Sequence, residues 1–232
     1  MHDFFSPETQ ILFDDLLLLP QEGASTGPTG RPPNSFAILT ERRSILFDAP
    51  YSWVIPAVRR LRDEGYPPAA LVLSHSNVAG QGDAFDVMTD EFAVPVLLHP
   101  ADAVVSESRR TGVECEDPRE SEVLAGAGLE VFHFPGHTEG SILLYWENHG
   151  GVAFAGDSAV GPGPKQDPDP PRLVRAPAIN AEADEGLREL WRTFDKPLRT
   201  VCPLHGAVYL DRDDMKEIMH PLFEGDSMGP MT

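Results

Sequence analysis

The stretch Leu73-Ser74-His75-Ser76-Asn77-Val78-Ala79-Gly80-Gln81-Gly82 decides how the chain is read. It closes an apolar run, Ala69 to Leu73, that predicts a buried strand opening into a polar loop. Loops held at strand ends are where a rigid scaffold carries chemistry-bearing side chains. Three further stretches have the same build. Leu129 to Phe134 feeds Pro135-Gly136-His137-Thr138-Glu139-Gly140-Ser141, Val152 to Ala155 feeds Gly156-Asp157-Ser158, and Arg199 to Cys202 feeds Pro203-Leu204-His205-Gly206.

In this order the four stations resemble those of the metallo-β-lactamase superfamily. The first matches the family signature Ser/Thr-His-x-His-x-Asp-His without gaps, but only His75 survives of its four functional side chains. Asn77 stands for the second His, Ala79 for the Asp and Gly80 for the last His. The resemblance covers roughly residues 34 to 210. It implies an α/β (α+β) fold, an αββα sandwich of two mixed β-sheets flanked by helices.

In the family, one metal takes the first two His of the signature and the later Gly-His-Thr His. A second takes the signature Asp, its last His and the final His, and the Gly-Asp aspartate contacts one or both. Carried onto this chain, the resemblance implies His75, His137, Asp157 and His205 as metal ligands, with Asn77 as a weak ligand or substrate contact. Ala79 offers no ligand atom and Gly80 no side chain. The expectation is therefore at most one metal per chain, zinc or iron, or none. A carboxamide is a weak neutral ligand beside imidazole.

Three functions are consistent with such a site. The first is a single-metal hydrolase of a small ester, thioester or lactone, since a bound divalent metal lowers the pKa of water. The second is a non-catalytic binding protein, because the missing Asp normally orients the attacking water. The third is a mononuclear iron oxidoreductase resembling the persulfide dioxygenases, because two imidazoles and a carboxylate are the ligand set of non-haem iron sites. That branch keeps signature residues that are absent here. Each station also has a structural reading: His75 could cap the strand end, Asp157 could accept from backbone amides, His205 could anchor its loop, and Asn77 could shape the turn. His99, His133 and Cys202 read as structural residues.

Composition narrows the partners. The chain has 232 residues with 37 Asp and Glu against 18 Lys and Arg, a net charge of −19. That balance argues against nucleic acid, which needs a basic face, and against anionic membranes. A small-molecule substrate or ligand remains. Hydrophobic residues make up 41%, enough for one globular domain over residues 1–232. The apolar run Ile11 to Leu19 is broken by Asp14 and Asp15, so neither a signal peptide nor a membrane span is expected. Two cysteines, Cys115 and Cys202, form no disulfide framework. The expected location is cytoplasmic. Lysine occurs only at 165, 196 and 216; this acidic, Lys-poor surface fits a high-salt cytoplasm or a genome rich in Arg codons.

The remaining elements follow from periodicity. Strands are expected at Gln10 to Leu19, Asn34 to Leu39, Ser44 to Asp48, Pro95 to Leu98 and Ser141 to Trp146, with a hairpin turn at Asn148 to Gly151. Helices are expected at Ser52 to Glu64, Asp83 to Phe92, Asp102 to Ser108, Asn180 to Phe194 capped by Asn180, and Asp211 to Phe223 capped by Asp211. Residues 21–34 and Glu114 to Glu122 read as loops, Gly161 to Pro177 as an extended mobile loop, and residues 225–232 as a frayed end. The charge makes a prediction of its own. Thermal stability should rise as salt is added up to roughly physiological strength, where the Debye length is about 8 Å. A melting temperature that stays flat or falls over that range would show that the acidic surface is under no electrostatic strain.

Overall fold

The computed structural model describes residues 6–22, 32–163 and 172–224. Contacts divide the chain into two compact units.

The first unit takes in residues 5–22 and 34–130. Its seven strands are β1 (Gln10–Phe13), β2 (Leu16–Leu18), β3 (Phe36–Leu39), β4 (Ser44–Phe47), β5 (Pro68–Val72), β6 (Val96–Leu97) and β7 (Cys115–Glu116). They lie in the sheet in chain order. β1 to β4 pair antiparallel, and β4 to β7 pair parallel. The single strand expected at Gln10 to Leu19 is instead a hairpin in which Gln10 faces Leu18. Asp14 and Asp15 form its turn, since Asp readily hydrogen-bonds its own backbone in a tight turn.

Parallel neighbours need a crossover, and α1 (Ile55–Asp63) supplies the one from β4 to β5. It buries Ile55, Ala57, Val58 and Leu61, and Pro56 sits in its first turn, where a missing N–H costs nothing. Every residue of β5 is buried, as suits a strand covered on both faces.

The connections depart from expectation in three places. Ser76–Gln81, expected as loop, is a helix, α2. The helix expected at Asp83 to Phe92 narrows to a wide-wound segment at Val87–Glu91. The helix expected at Asp102 to Ser108 is split into α3 (Pro100–Ala103) and α4 (Ser106–Arg109). Glu114 to Glu122 is more than a loop: it holds β7, a 3₁₀ turn at Pro118–Glu120 and the start of α5 (Glu122–Gly126), which Ser121 caps through Leu124 N–H.

The second unit is built chiefly from residues 131–232. Its sheet runs β11 (Thr200–Pro203), β10 (Val152–Gly156), β9 (Ile142–Trp146), β8 (Leu129–His133). β9 and β10 are antiparallel across the expected turn at Asn148–Gly150, and β10 pairs parallel with β11. Two helices pack on it, α6 (Ala181–Thr193) and α7 (Met215–Glu224). Leu187 and Trp191 of α6 and Met215, Ile218, Met219 and Leu222 of α7 share one core with Leu143, Tyr145, Ala153 and Val201. Asn180 caps α6 as expected, its Oδ1 accepting from Ala183 N–H at 2.9 Å.

Asp211 does not cap α7. Its backbone is left-handed at φ 49°, its N–H donates to Thr200 Oγ1 at 3.0 Å, and its carboxylate accepts from Arg199 Nε at 2.7 Å. Of the loop expected at Gly161 to Pro177, residues 164–171 lie outside the described residues; an isolated antiparallel bridge joins Val160 to Val174. The frayed end expected at 225–232 also lies outside them. Among the described residues no helix is long and apolar enough to cross a membrane.

The loop after β11 is laced to the backbone after β10. Gly161 N–H donates to His205 O and Ala207 N–H to Pro162 O, both at 2.9 Å. Gly206 is required there: its φ is +88°, and a β-carbon would stand 2.0 Å from Gly161 O. Gly206→Ala should therefore destabilise the fold by at least about 1 kcal/mol, from the left-handed backbone alone. Denaturant titration checks this; an unchanged midpoint would mean the loop relaxes freely.

Candidate metal centre

In the first unit, β5 delivers His75 to the start of α2. Its backbone is fully extended (φ −168°, ψ 171°), and it occupies the helix N-cap position without capping through its own side chain. Other residues satisfy the amides on either side. Asp48, buried and left-handed at φ 50°, accepts from Ser74 N–H through Oδ1 at 2.7 Å. Asp102, also buried, accepts from Ser76 N–H through Oδ2 at 2.7 Å. Two carboxylates thus grip the backbone before and after His75, and Ser74 Oγ lies 2.8 Å from His75 Nδ1.

Further along α2, Asn77 is exposed, while Ala79 is buried. A glycine at position 80 permits a left-handed backbone, yet Gly80 is helical here, and a β-carbon on it would meet Glu107 Cβ at 3.1 Å.

In the second unit, β8 runs through Phe134 into the turn that holds His137. Thr138 and Ser141 tie this turn together: Ser141 Oγ accepts from Thr138 N–H at 3.0 Å and lies 2.8 Å from Thr138 Oγ1. Gly136 lets the turn lie close on α6, since a β-carbon there would meet Leu187 at 2.9 Å. His137 Nδ1 is 2.9 Å from Pro177 O. A carbonyl only accepts, so Nδ1 carries the proton. His137 Nε2 then faces Asp157 Oδ2 at 3.4 Å, and His205 Nε2 stands 3.8 Å from the other oxygen, Oδ1. All three side chains are buried to within 8% of full cover. The structure brings together three of the four ligands expected from sequence, one carboxylate between two imidazoles; the fourth, His75, belongs to the first unit.

These residues suit a divalent metal. A ligating histidine usually gives its other N–H to a carbonyl or carboxylate, which fixes the tautomer, and Pro177 does this for His137. Ligands 2.0–2.2 Å from a tetrahedral ion stand roughly 3.4 Å apart, the spacing of His137 Nε2 and Asp157 Oδ2. His205 Nδ1 is buried and makes no hydrogen bond.

Asp102 was not singled out from sequence: an acid in a short helix carries no mark of the amide it holds 26 positions away. Two further histidines hold backbone groups. His99 Nδ1 accepts from Ala101 N–H at 3.3 Å to cap α3, and His133 Nε2 lies 2.8 Å from Glu139 O. Burial pushes the Cys202 thiol far above its ordinary pKa, which suits a core residue.

No family model matches the chain, and no curated protein does. Solved structures do. A metallo-β-lactamase from Pontibacter korlensis superposes with a TM-score of 0.68 at 15% identity, over 94% of this chain and 99% of that one. FIM-1, a metallo-β-lactamase from Pseudomonas aeruginosa in the mono-zinc form, gives 0.65 at 14% over 94% and 93%. The BLEG-1 B3 metallo-β-lactamase gives 0.58 at 22% over 90% and 100%. The likeness shows the fold: two mixed sheets flanked by helices, the metallo-β-lactamase αββα sandwich.

The grip on His75 makes a prediction. Asp102→Ala strands a buried amide and should cost about 1–3 kcal/mol, whereas Asp102→Asn, which keeps an acceptor oxygen, should cost clearly less. Equal losses in urea titration would show that the charge of Asp102, not its acceptor, is what matters.

Proposed function

We propose that this protein is a hydrolase that works with one metal ion, zinc or iron, on a small ester, thioester or lactone. One observation carries the reading: the Asp157 carboxylate lies between His137 Nε2 and His205 Nε2, with His137 held in the tautomer a metal needs. We further propose His75 as a ligand on the strength of its station, because His75, His137 and Asp157 make a strong donor set for a single divalent ion. FIM-1, of the same fold, is described in a mono-zinc form, which supports single occupancy. Such an ion, when bound, supplies hydroxide at neutral pH by polarising water.

The chain's own residues set the limits of the chemistry. His137 gives its Nδ1–H to Pro177 O, which leaves Nε2 as the ligating nitrogen, and Asp157 supplies the negative charge that lowers the cost of holding a dication in a buried site. Asn77, exposed on α2, is assigned a weak contact to substrate. Ala79 provides no carboxylate to orient an attacking water, so modest turnover is the expectation. A cytoplasmic setting and a small-molecule partner complete the proposal.

Metal analysis on protein purified without chelator should find at most one transition metal per chain. His137→Ala should release it and abolish hydrolysis across a panel of esters, thioesters and lactones, while Asn77→Ala should leave both nearly unchanged. Two tightly held metals per chain, or hydrolysis that survives His137→Ala, would overturn the proposal. Metal without turnover on any member of the panel would favour a non-catalytic binding protein.

A further inference from the structure

The second unit carries a groove of about 440 Å³ at the end of α6, against α7. That volume lies within the usual range for small-molecule sites. Its floor is apolar and buried, formed by Trp191, Met215 and Met219, with the half-buried Phe194 and Phe223 as walls.

The charges around it run against the rest of the molecule. The chain has 37 acids and only three lysines. Both lysines among the described residues, Lys196 and Lys216, line this groove, together with Arg192 and one acid, Asp195. The position of Lys216 is not explained by its helix. It is the second residue of α7, where the helix dipole disfavours a cation. Two nearby acids are already engaged, Asp213 by Arg199 and Asp214 by Arg212, and Lys216 enters no ion pair among the described residues. Lys196 is held at the edge, its ammonium 5.6 Å from the Tyr145 ring centroid and 5.8 Å from that of Phe132. Arg192 is partly spent, on Glu189 and on the carbonyl of Phe223.

We propose that this groove binds a small amphiphilic anion, an alkyl carboxylate whose chain lies over Trp191, Met219 and Phe223 and whose headgroup meets Lys216. Charge complementarity selects the occupant. An acidic protein repels anions over most of its surface, so a basic rim around an apolar floor is a local exception that a neutral or cationic ligand would not use. None of the lining residues is a candidate metal ligand, so this binding stands apart from the hydrolytic reading and is tested without it.

The test uses the full chain with octanoate as the anionic probe and 1-octanol as its neutral counterpart, by calorimetry and by amide chemical-shift mapping. Octanoate should bind saturably at one site, shifting the amides of Lys196, Lys216 and Phe223. Lys216→Glu, at an exposed position, should keep the wild-type melting temperature and weaken octanoate about fivefold, the scale of one exposed charge contact, while leaving octanol unchanged. The proposal is overturned by any of three results: no saturable binding, shifts that map elsewhere, or equal loss of both probes in Lys216→Glu.

Discussion

A carboxylate buried at the end of a strand must be met by donors or by positive charge, because its desolvation is too costly otherwise. Among the described residues three aspartates are buried, Asp48 and Asp157 just after strands and Asp102 in α3, and they are met in two ways. Asp48 and Asp102 accept from backbone amides, and in doing so they fix the path of the chain through His75. Asp157 faces imidazoles instead. The first arrangement is closed and structural. The second gathers two imidazoles and a carboxylate at one point, a donor set that suits a cation.

The same constraint explains how the stretch from Ser74 to Gly82 is held. Its backbone is secured by carboxylates outside the stretch, so its path does not depend on the side chains of Asn77, Ala79 and Gly80. The helix α2 still forms, with Val78 and Ala79 packed inward. The residues that hold this backbone are thus different from the candidate metal ligands.

Much of this was legible in the sequence. The strands before His75 and Asp157 are unbroken apolar runs, those before His137 and His205 are mixed runs with apolar residues at Val131, Phe132, Val201 and Cys202, and all four lie within a residue or two of the expected place. Asn180 showed itself as a cap because it stands directly before an amphipathic helix. What escaped was non-local or short. The turn at Asp14 and Asp15 was hidden inside an apolar run long enough for one strand. α2 is six residues and contains a glycine, too brief for periodicity to register. Asp211 looked like a cap from its neighbours, but Arg199 and Thr200, twelve and eleven positions back, claim it. The roles of Asp102 and of Pro177 O depend on partners 26 and 40 positions away, which no local pattern encodes.

The central claim is that His137 is held with its proton on Nδ1 so that Nε2, beside Asp157, is ready for a metal. Long-range nitrogen–proton NMR of the imidazoles during zinc titration tests it most directly. The account predicts that the free protein shows His137 as the Nδ1–H tautomer, and that one equivalent of zinc shifts its Nε2 resonance while the Nδ1 proton stays in place. A His137 that carries its proton on Nε2, or that does not respond to zinc, would contradict it.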